Sequence, residues 1–188
     1  MEIERLQVPD VLLVTPRRHG DERGYFMETY SKPKLATAGV RAEFVQDNQS
    51  RSEHIGTLRG LHFQRPPHAQ GKLVRVIRGR IWDVAVDIRR GSPTYGQWAA
   101  AELSAANACQ LYVPPGFAHG FVTLEPGTEV AYKVTGLYEP EAEGGVIWND
   151  PTLALPWPID REPRLSVKDE KLPEFAGFES PFAYADWS

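Results

Sequence analysis

Four side chains that could move a proton stand on segments whose pattern reads as extended: His62, His119, Tyr132 and Lys72. Arg59 precedes His62 by three residues, and Asp169 sits in the polar stretch around Lys168. An imidazole is the side chain whose ordinary pKa lies near neutrality, so it can serve as a base where water is excluded. A phenol can return a proton, and an ammonium can hold charge that develops on oxygen. His, Tyr, Lys, Arg and Asp together suit proton transfer next to a carbonyl, and they do not suit nucleophilic or redox chemistry. Each residue alone has a plainer reading. His62 and His119 fit hydrogen-bonded structural histidines, Tyr132 a packing residue, Lys72 a solvated strand end, and Lys168-Asp169 a solvated turn.

Other chemistries lack their residues. No G-x-G-x-x-G follows a strand, and Gly71-Lys72 resembles the end of a phosphate-binding loop only until Pro66 and Leu73 break the pattern. No G-x-S-x-G is present, and Cys109 has no protease signature around it. A metal would need His62, His119 and His68 out of 5 histidines, and His62 is followed two residues on by Gln64 rather than a second histidine. A metal is therefore not expected.

The elements that must position these groups are strands. The segments 72–77 and 80–88 flank Arg78-Gly79, which reads as a hairpin turn. Within the second, Trp82, Val84, Val86 and Ile88 share one face and Asp83 and Asp87 the other, the alternation of a half-buried antiparallel strand. Further strands are expected at 99–103, 110–113, 120–124 and 129–135, with 58–64 and 11–14 before them. Tyr132 shares its face with Val130 and Val134, the core side, and Lys72 shares its face with Val74 and Val76. Arg59 and His62 have opposite parity, so a regular strand would part them; a bulge at Gly60 would bring both to one side. A polar turn at 19–24 leads into an aromatic segment at 25–30, and residues 32–39 suit one or two helical turns. Many short strands with brief helices indicate an all-β jelly-roll sandwich.

The chain has 188 residues, 41% hydrophobic and 24% charged, enough for one domain with a sizeable core. Residues 151–188 are Pro-rich and irregular; Phe175, Phe178, Phe182, Tyr184 and Trp187 suggest an appendage packed on the sandwich rather than a second domain. A formal charge of -4 argues against nucleic acid, while 15 of 21 cationic residues are Arg, the type suited to forked phosphate contacts. One cysteine excludes an intrachain disulfide and points to a reducing cytosol. Residues 1–10 have no apolar stretch of a signal peptide, and no apolar run is long enough for a membrane span, so a cytoplasmic chain with no membrane contact is expected.

Five blocks occur in order: Asp21-Glu22-Arg23-Gly24-Tyr25-Phe26, Val45-Gln46-Asp47-Asn48, Leu58-Arg59-Gly60-Leu61-His62, Gln70-Gly71-Lys72-Leu73-Val74 and Pro115-Gly116-Phe117-Ala118-His119-Gly120-Phe121. In these the chain resembles the dTDP-4-dehydrorhamnose 3,5-epimerase family, from Val11 to about Asp169. The resemblance implies a metal-free, cofactor-free, cupin-type jelly roll acting as a homodimer with an exchanged N-terminal segment. Its implied reaction inverts both carbons flanking the ketone of dTDP-4-dehydro-6-deoxy-D-glucose, on the path to dTDP-L-rhamnose. By the same resemblance His62 is the base, Asp169 its orienting carboxylate, Tyr132 the acid on the opposite face, and Lys72 the group that stabilises the enolate. Arg23, Glu28, Gln46, Asp47, Asn48, Arg59, His119, Glu143 and Lys168 would line the nucleotide-sugar site, with Tyr138 stacking on thymine; Arg23 and Glu28 would reach the partner's site. Residues alone leave open an epimerase of one centre, a ketoisomerase of a related dTDP-sugar, a nucleotide-sugar-binding module, and a metal-dependent cupin oxygenase.

Overall fold

The computed structural model describes residues 1–186. The strands are β1 (Glu2–Arg5), β2 (Leu12–Thr15), β3 (Arg18–Asp21), β4 (Gly24–Met27), β5 (Gln46–Ser52), β6 (Leu58–Gln64), β7 (Lys72–Arg78), β8 (Arg80–Asp87), β9 (Trp98–Ser104), β10 (Gln110–Val113), β11 (Phe117–Thr123), β12 (Thr128–Val134) and β13 (Glu143–Gly145), with one short helix, α1 (Lys32–Thr37), between β4 and β5. A six-stranded sheet in the order β1-β2-β10-β7-β12-β5 faces a five-stranded sheet in the order β13-β6-β11-β8-β9, and β3 and β4 form a separate hairpin. All pairings within these sheets are antiparallel. This is the expected β-sandwich. No helix among the described residues is long and apolar enough to cross a membrane.

Two expectations are corrected. Arg78-Gly79 does not close a hairpin, because β7 and β8 lie in different sheets. The turn carries the chain from one layer to the other. Gly79 has φ 79°, and a Cβ there would lie 2.3 Å from Thr128 Oγ1. A glycine-containing turn serves a corner between sheets as well as a hairpin, and the short-range pattern does not separate the two.

β8 also differs from the half-buried strand expected. Its polar face is not solvated: Asp83 and Asp87 are fully buried. Ile81, Asp83, Ala85 and Asp87 alternate toward the interior, where Ile81 and Ala85 join Val74, Val76, Leu103, Leu111, Phe117, Phe121 and Val130 in the core between the sheets. The apolar face of Trp82, Val84 and Val86 points outward, and residues after 150 cover it with Leu153, Phe175 and Phe182. Trp82 meets Trp157 edge to face at 5.0 Å between centroids, and Phe63 touches Phe178 and Phe182. Tyr184 lies under the Arg89 guanidinium; Trp187 lies outside the described residues. The strand is thus buried on both faces, and its interior carboxylates are paired. Asp87 accepts from the Arg89 side chain and from Ser92 and Thr94 hydroxyls. A buried carboxylate such as Asp87 would be costly without these hydrogen bonds.

Candidate active site

The interior changes character toward one end of the sandwich. There the inward positions of β5, β6, β7 and β12 carry polar side chains in place of valines, and a cavity of about 330 Å³ opens. Gln46, Asn48, His62, Gln70, Lys72, Tyr132, Tyr138 and Glu143 line it, with Phe63 and Gln64.

His62 reaches this cavity because β6 bulges. Arg59 pairs with Phe121 and His62 with His119, so β6 spends an extra residue between two neighbouring ladder positions. Gly60 makes this feasible, with φ 134° and a virtual Cβ 2.5 Å from the Gly120 Cα. Arg59 and His62 then both turn toward the opposite sheet, Arg59 Nε lying 3.4 Å from Ser52 Oγ on β5. The expected bulge is present.

His62 Nε2 lies 2.5 Å from Asp169 Oδ1. That bond fixes the ring and leaves Nδ1 as the nitrogen that can take a proton. Burial alone would push the Asp169 carboxyl up, but hydrogen bonds from His62 and Ser166 hold it below the ordinary carboxylate value. The solvated turn, the plainer reading of Lys168-Asp169, is thus not what Asp169 makes: only 3% of it is exposed. Across the cavity on the facing sheet stands Tyr132, whose phenol is pushed up by burial against the lowering effect of Arg59. It therefore keeps its proton at neutral pH. Lys72 is pulled down to about 8 by burial, opposed by the charges of Asp83 and Glu143. His119 is buried, its pKa lowered by desolvation, and its Nε2 lies 2.7 Å from Asp83 Oδ1.

The remaining expected residues divide. Gln46 Nε2 donates to Asn48 Oδ1, fixing two cavity-lining amides on β5. Glu143 accepts from the Lys168 ammonium at the rim. Tyr138 is 55% exposed at the mouth, on a loop that Gln64 holds by donating to the His68 and Leu137 carbonyls and accepting from the Glu139 amide. Asp47 points to the opposite face of its sheet, where it pairs with Lys133 at 2.9 Å and lines a second cavity of about 410 Å³. Arg23 and Glu28 do not approach the cavity of their own chain: Arg23 pairs with Asp21 on the β3–β4 hairpin and Glu28 with Lys34. His62 and His119 each commit one ring nitrogen to a carboxylate, and among the described residues no group of three or more His, Cys, Asp or Glu side chains is arranged to hold a metal.

Sequence reasoning missed Asp83, Gln64 and Gln70. Asp83 carried a signal, since its parity with Ile81 and Ala85 is that of the interior; the outward apolar stripe concealed it.

The model of the dTDP-4-dehydrorhamnose 3,5-epimerase family matches residues 5–177. The dTDP-4-dehydrorhamnose 3,5-epimerase of Salmonella typhimurium is 49% identical over 174 residues, covering 92% of this chain and 94% of the relative. Among solved structures, the dTDP-4-dehydrorhamnose 3,5-epimerase of Bacillus anthracis with TDP and PPi bound superposes with a TM-score of 0.89 at 51% identity, covering 93% of this chain and 99% of that one. The dTDP-6-deoxy-D-glucose-3,5-epimerase of Legionella pneumophila, in complex with dTDP-4-keto-L-rhamnose, gives 0.92 at 42% identity, covering 97% of each chain.

Proposed function

Because the chain belongs to the dTDP-4-dehydrorhamnose 3,5-epimerase family, we propose that His62 and Tyr132 are its base and acid, working on opposite faces of a 4-keto hexose. The activity is that of the family: isomerisation of dTDP-4-dehydro-6-deoxy-D-glucose to dTDP-4-dehydro-L-rhamnose in dTDP-L-rhamnose biosynthesis. The observation that carries the assignment of roles is the placement of His62 and Tyr132 on facing sheets around one cavity, the imidazole oriented by a buried carboxylate and the phenol kept protonated.

The ketone acidifies the hydrogen on each neighbouring carbon, since the carbanion delocalises onto oxygen. His62 Nδ1 takes that hydrogen as a proton, and the Asp169 carboxylate stabilises the imidazolium that forms. The enolate oxygen takes up the electron pair and is held by the Lys72 ammonium, in a cavity where charge interactions are stronger than in water. Tyr132 returns a proton to the same carbon from the other side, which inverts it. The sequence repeats at the second carbon after solvent restores both groups. Positioned acid–base groups of this kind typically contribute about 10²–10⁴-fold.

The nucleotide supplies the holding energy. Its two diphosphate charges meet Arg59 and the partner's Arg23, and thymine stacks on Tyr138, worth about 1–3 kcal/mol. The homodimer belongs to this reading. Supporting it, Arg23 and Glu28 lie away from their own cavity, and Tyr25 and Phe26 next to them are 61% and 70% exposed, a protruding apolar surface suited to a second copy. A cytoplasmic location fits the lone, half-buried Cys109.

The test is deuterium uptake into substrate in heavy water. His62→Ala should abolish uptake and still bind dTDP. Tyr132→Phe should still exchange the hydrogens but fail to invert the carbons. Uptake by His62→Ala at the wild-type rate would remove His62 as base.

A further inference from the structure

One buried atom next to the cavity has no account in the mechanism. Asp83 on β8 is fully buried; its Oδ1 accepts from His119 Nε2, and its Oδ2 has no hydrogen-bond partner. A buried carboxylate oxygen without a donor is costly, so its retention calls for a physical reason. Lys72 on β7 is the counterpart: among the described residues its ammonium makes no hydrogen bond, although it carries charge inside the sandwich. The charged and titratable groups around Lys72 are Asp83 from β8, Glu143 from β13, His119 from β11, His62 from β6 and Tyr132 from β12.

We propose that Asp83 is a positioning residue for the enolate site: one carboxylate oxygen fixes His119, and the other is the internal counter-charge that keeps Lys72 an ammonium. The proposal rests on the reading of Lys72 as the group that holds the enolate oxygen, and deepens it. Asp83 touches no substrate atom. It acts through two residues, and a single buried carboxylate shared between them fixes both at once. Burial pulls the ammonium down, Asp83 outweighs Glu143 in opposing that pull, and the balance leaves Lys72 charged at neutral pH, close to losing its proton. The same carboxylate takes the Nε2–H of a neutral His119, so Nδ1 is left as an acceptor.

The experiment is the pH profile of kcat/KM for the wild type, Lys72→Met, Asp83→Asn and Asp83→Glu, with dTDP affinity measured for each. Lys72→Met should lose at least about 10²-fold at every pH. Asp83→Asn should bind dTDP as the wild type does, while its alkaline limb moves to lower pH by about one unit or more, the shift expected on removing an adjacent opposite charge. Asp83→Glu, which keeps the charge, should restore the limb. An Asp83→Asn profile scaled down equally at all pH, with its limb in place, overturns the proposal while leaving Lys72 in its role. An active Lys72→Met enzyme would instead remove the reading beneath it. If neither Asp83 variant folds, the ¹⁵N shifts of His119 in the native protein decide: protonation on Nε2 supports the proposal, and protonation on Nδ1 overturns it.

Discussion

Asp150→Ala should loosen the active site from a distance. Asp150 is 1% exposed, and its carboxylate accepts three backbone amides: Thr152 and Leu153 on Oδ1 at 2.9 Å, and Phe175 on Oδ2 at 2.7 Å. It therefore pins together the two ends of the excursion from residue 152 to residue 175. That excursion carries Asp169 back beneath His62. Further along it are two main-chain bonds, Leu58 N–H to the Arg164 carbonyl and Ile147 N–H to the Pro173 carbonyl. Leu153 and Phe175 are 5% and 9% exposed, so truncation leaves two buried amides with no acceptor. At about 1–3 kcal/mol each the loss is roughly 2–6 kcal/mol, a large part of the 5–15 kcal/mol that holds an ordinary domain. Urea unfolding measures the total, and amide hydrogen exchange measures where it falls. Exchange should accelerate across 152–175 before it does in β8 and β11, and deuterium transfer to substrate should fall by more than the unfolded fraction explains. A stability loss below about 1 kcal/mol, or exchange that rises evenly over the whole chain, would refute the clamp.

Gly60→Ala should cost roughly 2–6 kcal/mol, from a φ that side chains avoid and a Cβ at 2.5 Å from Gly120 Cα and 2.9 Å from the His119 carbonyl oxygen; an unfolding midpoint near the wild type would contradict the bulge. Asp169 is held below its ordinary 3.8 in the folded chain, so its pairing stabilises above that value and is lost as pH falls through the lower folded one. Denaturant midpoints followed from about pH 6 to about pH 2 should therefore drop more steeply for the wild type than for Asp169→Asn. In the proposed homodimer, mixing Arg23→Ala with His62→Ala chains should restore about a quarter of wild-type activity, half the dimers being mixed and one site in each being whole. If Arg23 serves its own chain, mixing restores nothing.

The alternation of 129–135 was legible because β12 buries one face and pairs on both edges. β5, QDNQSRS, gave no strand signal: it lies at a sheet edge and offers polar side chains to both the cavity and the outer surface. The layer change at Gly79 and the doubly buried β8 depend on partners far along the chain, so no local window holds them. Among the site residues, Tyr132 and Lys72 could be placed by parity alone. His62 needed a bulge that Gly60 only permits, and Asp169 is brought to it across 107 residues by a segment without regular strands. The pairing of His119 with Asp83 joins two residues each of which has an ordinary reading in isolation.

The roles of His62 and Tyr132 depend on where the hexose sits. A crystal structure with a dTDP-4-keto sugar bound should place His62 Nδ1 over one face of the ring and the Tyr132 hydroxyl over the other, with Lys72 at the ketone oxygen. A sugar with both groups on the same face, or with Tyr132 out of reach of the ring, would contradict those roles.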